Sequence, residues 1–266
     1  LGHVVAIANQ KGGVGKTTSA ISLAAALAIA ERPTLLVDID PQGSATKGLG
    51  LKAGPAGDMY SVLSGEVALE EILIPTELQY LSVAPASRDL VGIELELVQS
   101  AGRETRLKDA LEPIRDRFHF ILIDCPPSLG LITVNALTAA DGLLIPVQCE
   151  YLALEGVSQM VETLQRIQAA LNPALVLEGV LLTMFDERTN LSRQVVNDLR
   201  EYFKEKVYHS IVPRNVRLGE APSFGRPIML YDIRSKGSEA YMNLAREVIR
   251  HHEKASARER TQQPHP

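Results

Sequence analysis

The sequence predicts an α/β fold, a single domain built on a mostly parallel, twisted sheet with helices on both faces. Three observations carry this reading. Short Ile/Leu/Val-rich runs alternate with helix-length stretches along the chain. Those runs are continuously apolar rather than alternating, the pattern of strands buried on both faces of a parallel sheet. A glycine-rich turn joins the first run to the first long helical stretch. Strands alternating with helices of this length imply right-handed βαβ units, and 266 residues are enough for one large domain with its own core.

In chain order, HVVAIAN (3–9) is the first strand, and the turn KGGVGKTT leads into a helix over 16–30. PTLLVDID (33–40) is the second strand, closed by the turn formers PQG. A short helix near 58–65 precedes the strand LQYLSVAP (78–85), and 88–116 reads as helical with a break near Gly102. FHFILIDC (118–125) is the next strand, ended by PPS, with a helix over 129–139 behind it. DGLLIPVQ (141–148) pairs with a helix over 154–171, LVLEGVLLTMF (175–185) with one over 191–204, and a last helix spans 235–251. No linker or internal repeat interrupts residues 1–250, which form the domain. Residues 251–266, ending ARERTQQPHP, are polar and contain proline, and a disordered tail is expected there.

Composition narrows the function classes. Cys125 and Cys149 fit neither a zinc site nor a redox CxxC, so two reduced, buried thiols in a cytoplasmic protein are expected. No run approaches the length of a membrane span. The net charge of −5 argues against a general affinity for nucleic acid, but its distribution does not. Residues 1–184 carry 12 Lys/Arg against 21 Asp/Glu, whereas 185–236 carry 10 against 7. The later segment is where an anionic partner would sit.

Gly12 to Thr18 connects a strand to a helix, the context a phosphate-binding loop requires. Gly12, Gly13 and Gly15, with Val14 between them, let backbone N–H groups converge on phosphate oxygens, and the helix start at Lys16 adds its positive dipole end. Lys16 should reach the β- and γ-phosphates and Thr17 should place its hydroxyl on Mg²⁺, with Thr18 following. The usual spacing would put the loop's first glycine at Gln10. Instead Lys11 leads a KGGxGK[ST] pattern, and spacing alone leaves a solvated lysine and a functional one equally open.

Two further strands end in carboxylates at the edge where open parallel sheets bind ligands. Asp38 and Asp40 close the second strand, and Asp124 follows the apolar run Phe120 to Ile123. Asp124 in that position should hold Mg²⁺. Asp38 fits equally well as a cap for the turn that follows.

The leading lysine resembles that of the deviant-Walker P-loop NTPases, the group of ParA/Soj, MinD, the nitrogenase iron protein and ArsA. Five blocks resemble the ParA/Soj chromosome-partitioning branch in its order: ANQKGGVGKTT, VDIDPQGSAT, IDCPPSLGLITVNAL, TMFDERTNLS and VPRNVRLGEAPSFGRPIMLYD. Ser44 and Gly219 depart from residues frequent there, with small consequence. The resemblance implies a slow Mg²⁺-dependent ATPase that binds ATP or ADP and forms a homodimer when ATP-bound, Lys11 serving the partner subunit's nucleotide. It implies that Asp40 orients the attacking water, that Asp38 supports the metal's outer shell, and that Thr183, Met184, Pro213 and Asn215 line the adenine pocket. It implies non-specific binding of double-stranded DNA through Arg188 and Arg217, a ParB-like (Spo0J-like) partner that stimulates hydrolysis, and a cytoplasmic, nucleoid-associated location.

The other branches fit less well. Residues 251–266 offer no Leu, Ile, Val, Phe or Trp for a membrane-binding helix, so no membrane partner is expected. The two cysteines do not resemble cluster ligands, and the length fits the short, chromosomal type. The alternatives left open are a ParA-like ATPase that positions another cargo and a ligase that uses the loop to activate a carboxylate.

Overall fold

In the computed structural model the described residues are 2–262. The strands are β1 (His3–Ile7), β2 (Thr34–Asp38), β3 (Ile74–Pro75), β4 (Leu81–Ala84), β5 (Phe120–Asp124), β6 (Gly142–Gln148) and β7 (Val176–Thr183). They form one sheet in the order β3-β4-β2-β5-β1-β6-β7. All pairs are parallel except β3 with β4. The six parallel strands are the predicted ones. β3 is an addition, two residues too short to leave a period, with Pro75 at an edge where its missing N–H costs no ladder bond.

The helices are α1 (Lys16–Ile29), α2 (Ser44–Gly48), α3 (Met59–Ser64), α4 (Leu90–Glu96), α5 (Arg106–Leu111), α6 (Leu131–Ala139), α7 (Ala153–Ala170), α8 (Asn190–Phe203), α9 (Val216–Glu220), α10 (Ile228–Tyr231) and α11 (Lys236–Gln262). Alternate strand residues feed two cores. Val5, Ile7, Leu36 and Leu122 pack with α1 and α11 on one face. Val4, Ala6, Val37, Ile121 and Ile123 pack with α3 to α8 on the other. α1 is buried almost all round, and its alanines at 24, 25, 26 and 28 let sheet and α11 approach closely.

α11 continues past residue 251 to Gln262, where a disordered tail was expected. The stretch Glu253 to Gln262 contains no Gly or Pro, and its Ala, Arg, Glu and Lys residues are good helix formers, so low hydrophobicity alone did not end the helix. The remainder of that expected tail, 263–266, lies outside the described residues. α11 is fastened along its length. The buried hydroxyls of Tyr241 and Ser19 hydrogen-bond at 2.9 Å. Glu247 accepts from the backbone N–H of His209 and Ser210 at 2.9 and 2.7 Å.

At the amino-terminal edge of the sheet, His3 lies 3.1 Å from Glu178 and 3.6 Å from Asp141. The His252 ring from α11 packs 4.9 Å from the His3 ring and 5.4 Å from Phe120. At the opposite edge, the turn after α2 crosses the turn before α10 backbone against backbone. Gly50 and Gly225 both have positive φ, 68° and 65°. A methyl on Gly225 would stand 2.8 Å from the Cα of Gly50, so neither position has room for a side chain.

Candidate functional site

The carboxyl ends of the parallel strands converge on one edge, and the loops that leave them carry the predicted phosphate, acid and adenine residues. The loop after β1 is held by residues outside the motif. Asn9 accepts from the Lys11 N–H at 3.0 Å and donates to the Pro146 carbonyl at 2.8 Å, tying the loop to β6. Thr183 donates to the Val14 carbonyl at 2.8 Å from the end of β7. Gly15 has φ 88° with the Thr183 methyl just beyond, and a Cβ on Gly12 or Gly13 would meet nothing within 4 Å. The loop is thus braced from below and open above, the shape of a phosphate cradle.

Lys16 is buried and its Nζ donates to the Lys11 carbonyl at 3.1 Å. Burial lowers its pKa, and the charges of Asp124, Cys125 and Asp40 work against that. Lys11 is half-exposed, its Nζ 3.9 Å from Glu150 at the end of β6, and Arg214 lies 3.8 Å from the same carboxylate. Thr17 is partly buried on α1. Thr18 lines a small recess with Ile21, Ser22, Leu218 and Pro222.

The three carboxylates stand in different states. Asp38 and Asp124 are in direct register on neighbouring strands, both buried. Asp38 is satisfied by the protein: it accepts from the N–H of Asp40 at 3.2 Å, and from the N–H and hydroxyl of Thr46 at 2.8 and 2.7 Å. The Thr46 hydroxyl also accepts from the Ala86 N–H at 3.0 Å, joining the ends of β2 and β4. Burial raises the Asp38 pKa to about 6 despite those bonds. Asp40, at the rim, accepts from the Gln42 N–H at 2.8 Å.

Neither oxygen of Asp124 has a hydrogen-bond partner. Burial, then the charge of Asp38, push its pKa well up; Thr17 and Lys16 counter only part of this. A buried carboxylate with no donor beside two others and a single lysine is an excess of negative charge that calls for a cation. Oxygen donors from Asp124 and Thr17 suit Mg²⁺, and the residues present therefore fit it. Asp38 already accepts from three protein donors.

The residues expected at the adenine are brought together by a backbone bridge between Phe185 and Pro213, with Arg214 N–H donating to the Phe185 carbonyl at 2.9 Å. Met184 sits at φ 51°, a strained turn position for a residue with a side chain. Asn215 caps α9 by accepting from the Arg217 N–H at 2.9 Å. Arg188 and Arg217 are exposed and both carry carboxylate partners: Asp186 at 2.7 Å for the first, Glu220 at 2.8 Å for the second.

A family model described as an AAA domain matches residues 2–177. The chromosome partitioning protein ParA of Myxococcus xanthus is 57% identical over 261 residues, covering 98% of this chain and 92% of that protein. The chain belongs to the ParA/Soj family of partitioning ATPases. The sporulation initiation inhibitor protein Soj of Bacillus subtilis is 54% identical over 93% of this chain and 98% of its own. Among solved structures, one from Mycobacterium smegmatis named cobyrinic acid a,c-diamide synthase is 39% identical with a TM-score of 0.84. It covers 96% of this chain and 97% of its own, and it was solved with an ATP analogue and magnesium. As a ParA/Soj protein the chain is a Mg²⁺-dependent ATPase that binds ATP and ADP.

Three functional residues of this ParA/Soj site were missed in the sequence. Asn9 braces the loop, Thr46 ties Asp38 to β4, and Glu150 faces Lys11. Asn9 was the most detectable, as a polar residue closing an apolar strand before glycines. The partners of Thr46 and Glu150 are set by tertiary packing.

Proposed function

We propose that the protein is an ATP-operated switch for chromosome partitioning. Two protomers close face to face over two ATP molecules, and each Lys11 reaches the nucleotide of the other subunit. ATP brings about four negative charges to each site, so closing two sites together needs cations that cross the interface. Lys16 and the backbone of Gly12 to Thr18 hold the phosphates, and Asp40 orients the attacking water. Thr17 and Asp124 hold Mg²⁺, which neutralises charge on the phosphates when bound. Thr183, Met184, Pro213 and Asn215 enclose the adenine.

In the paired form Arg188 and Arg217 exchange their carboxylates for DNA phosphates, giving binding without sequence preference and with steep salt dependence. A ParB-type partner stimulates hydrolysis and releases the DNA, which places the protein in the cytoplasm on the nucleoid. Among the described residues, no helix is long and apolar enough to cross a membrane.

The observation that carries this reading is the 57% identity to a ParA protein over 98% of the chain. The synthase name of the Mycobacterium protein favours a second reading, carboxylate activation. DNA retention with ATP, with ADP and without nucleotide separates the two. Retention with ATP alone is expected; equal binding in all three removes the switch, and no binding in any favours the synthase.

A further inference from the structure

Phe224 closes the short 3₁₀ turn Ala221–Phe224 and is 65% exposed. A single exposed apolar residue is ordinary, but this ring is held in place from two sides. It stacks on Tyr231, with ring centroids 5.0 Å apart and planes at 28°. The residue after it is Gly225, whose positive φ and close backbone contact with Gly50 fix the turn. An aromatic side chain presented to solvent in this way has little rotamer freedom left to lose on binding.

The stack leads directly to Arg217. The Tyr231 hydroxyl donates to Oε2 of Glu220 at 3.0 Å, the same oxygen that accepts from Arg217 Nη1 at 2.8 Å. Asp232 lies 3.6 Å from Arg217 Nε. Arg226 follows Phe224 by two residues, exposed, with Glu77 3.6 Å away. Val216 and Ile233, each next to an arginine in the chain, are 75% and 68% exposed. The surface around Phe224 therefore mixes cations with apolar side chains. Such a surface suits a polyanion that also offers apolar contact, and duplex DNA is one, its phosphates being joined through deoxyribose.

We propose that Phe224 contacts DNA in the paired form, laying its ring against deoxyribose while Arg217 engages a neighbouring phosphate. The inference rests on the partitioning reading above. It adds to the phosphate contacts a component of DNA affinity that salt does not screen. Deoxyribose is the same at every base pair, so the contact carries no sequence preference.

The test titrates DNA retention by the ATP-bound protein over a range of salt concentrations for wild type, Phe224→Ala, Phe224→Tyr and Arg217→Ala. Melting temperature checks the fold. Phe224→Ala is expected to bind about fivefold more weakly at every salt concentration, the scale of burying roughly half a phenylalanine side chain. The slope of log affinity against log salt stays as in wild type. Arg217→Ala flattens that slope by about one for each phosphate no longer neutralised. Phe224→Tyr keeps the ring and its stack and binds as wild type does. Phe224→Gln, of similar length, shows the same loss as alanine and covers the case in which alanine loosens the turn. Wild-type affinity in both Phe224→Ala and Phe224→Gln overturns the proposal. A loss that comes with the flatter slope of Arg217→Ala also overturns it, because the ring would then only position the arginine through Tyr231 and Glu220. Loss of ATP-dependent pairing in light scattering overturns it too, by making the ring a contact between copies. A wild-type protein that retains no DNA with ATP refutes the partitioning reading itself, and the Phe224 contact with it.

Discussion

The side chain of Lys16 donates to the backbone carbonyl of Lys11, 3.1 Å away, so the two lysines of the phosphate loop meet through main chain and not through their charges. The loop's two ends are clasped whatever side chain residue 11 carries. Lys11→Ala is therefore expected to keep the fold and nucleotide affinity while losing pairing and at least about 100-fold in stimulated turnover, the scale for one preorganised charge contact. Lys16→Ala loses nucleotide binding as well. Nucleotide titration and sedentation-equilibrium measurements on both variants check the contrast, and a Lys11→Ala protein that pairs and hydrolyses normally refutes the crossing of the interface.

The Asp40 carboxylate accepts one hydrogen bond from the described residues, from the Gln42 N–H at the rim. Its removal costs about 0.5–1.5 kcal/mol of stability, the net worth of one such bond. Asp40→Ala is expected to fold, bind ATP, and remain paired on DNA because the water is no longer oriented. A DNA-retention time course with ATP follows it; rapid turnover by this variant would show that another group does that work.

Thr46 is the keystone behind Asp38, donating to the carboxylate and accepting from the Ala86 N–H. Thr46→Val strips one donor from a buried carboxylate and leaves a buried N–H without an acceptor, each costing about 1–3 kcal/mol. Urea unfolding should show a loss of that order, and hydrolysis at saturating Mg²⁺ should fall less than in Asp124→Asn. Unchanged stability would mean that the β2–β4 junction relaxes freely.

His3 gives the fold a pH dependence. Burial opposes its charge, but the Glu178 hydrogen bond and the charges of Glu178 and Asp141 outweigh that, and its pKa lies above 6.5. Glu178 answers in kind: burial would raise it, and the bond and charge of His3 hold it below 4.5. A histidine raised on folding contributes stability that is complete below its unfolded pKa and disappears as pH rises through its folded one. Glu178 contributes above its unfolded value and fades in acid. Melting temperature is therefore expected to fall as pH rises above 6.5, the unfolded value, and His3→Gln should flatten that slope. Parallel curves for the two proteins would assign it to other groups.

The parallel strands were legible because burial on both faces writes an unbroken apolar run, as in FILID of β5. The phosphate loop was legible because its chemistry depends on glycines at fixed spacing next to one strand and one helix. β3 escaped because two residues leave no pattern, and α2 because its five residues SATKG follow turn formers and carry little apolar content. The polar end of α11 was misread because helix propensity, not hydrophobicity, sustains it past His252. In the site, the turn-capping alternative for Asp38 matches the bonds it makes. The support Thr183 gives to Val14 spans 169 residues, a distance over which no local pattern reaches.

The bare crossing of Gly50 and Gly225 links the segment just beyond Asp40 and α2 to the one that holds Arg226. Side chains normally act as cushions between loops, bending to absorb small shifts. At this crossing there is none, and backbone meets backbone. The two turns therefore keep one fixed spacing, and a side chain at either glycine would wedge them apart.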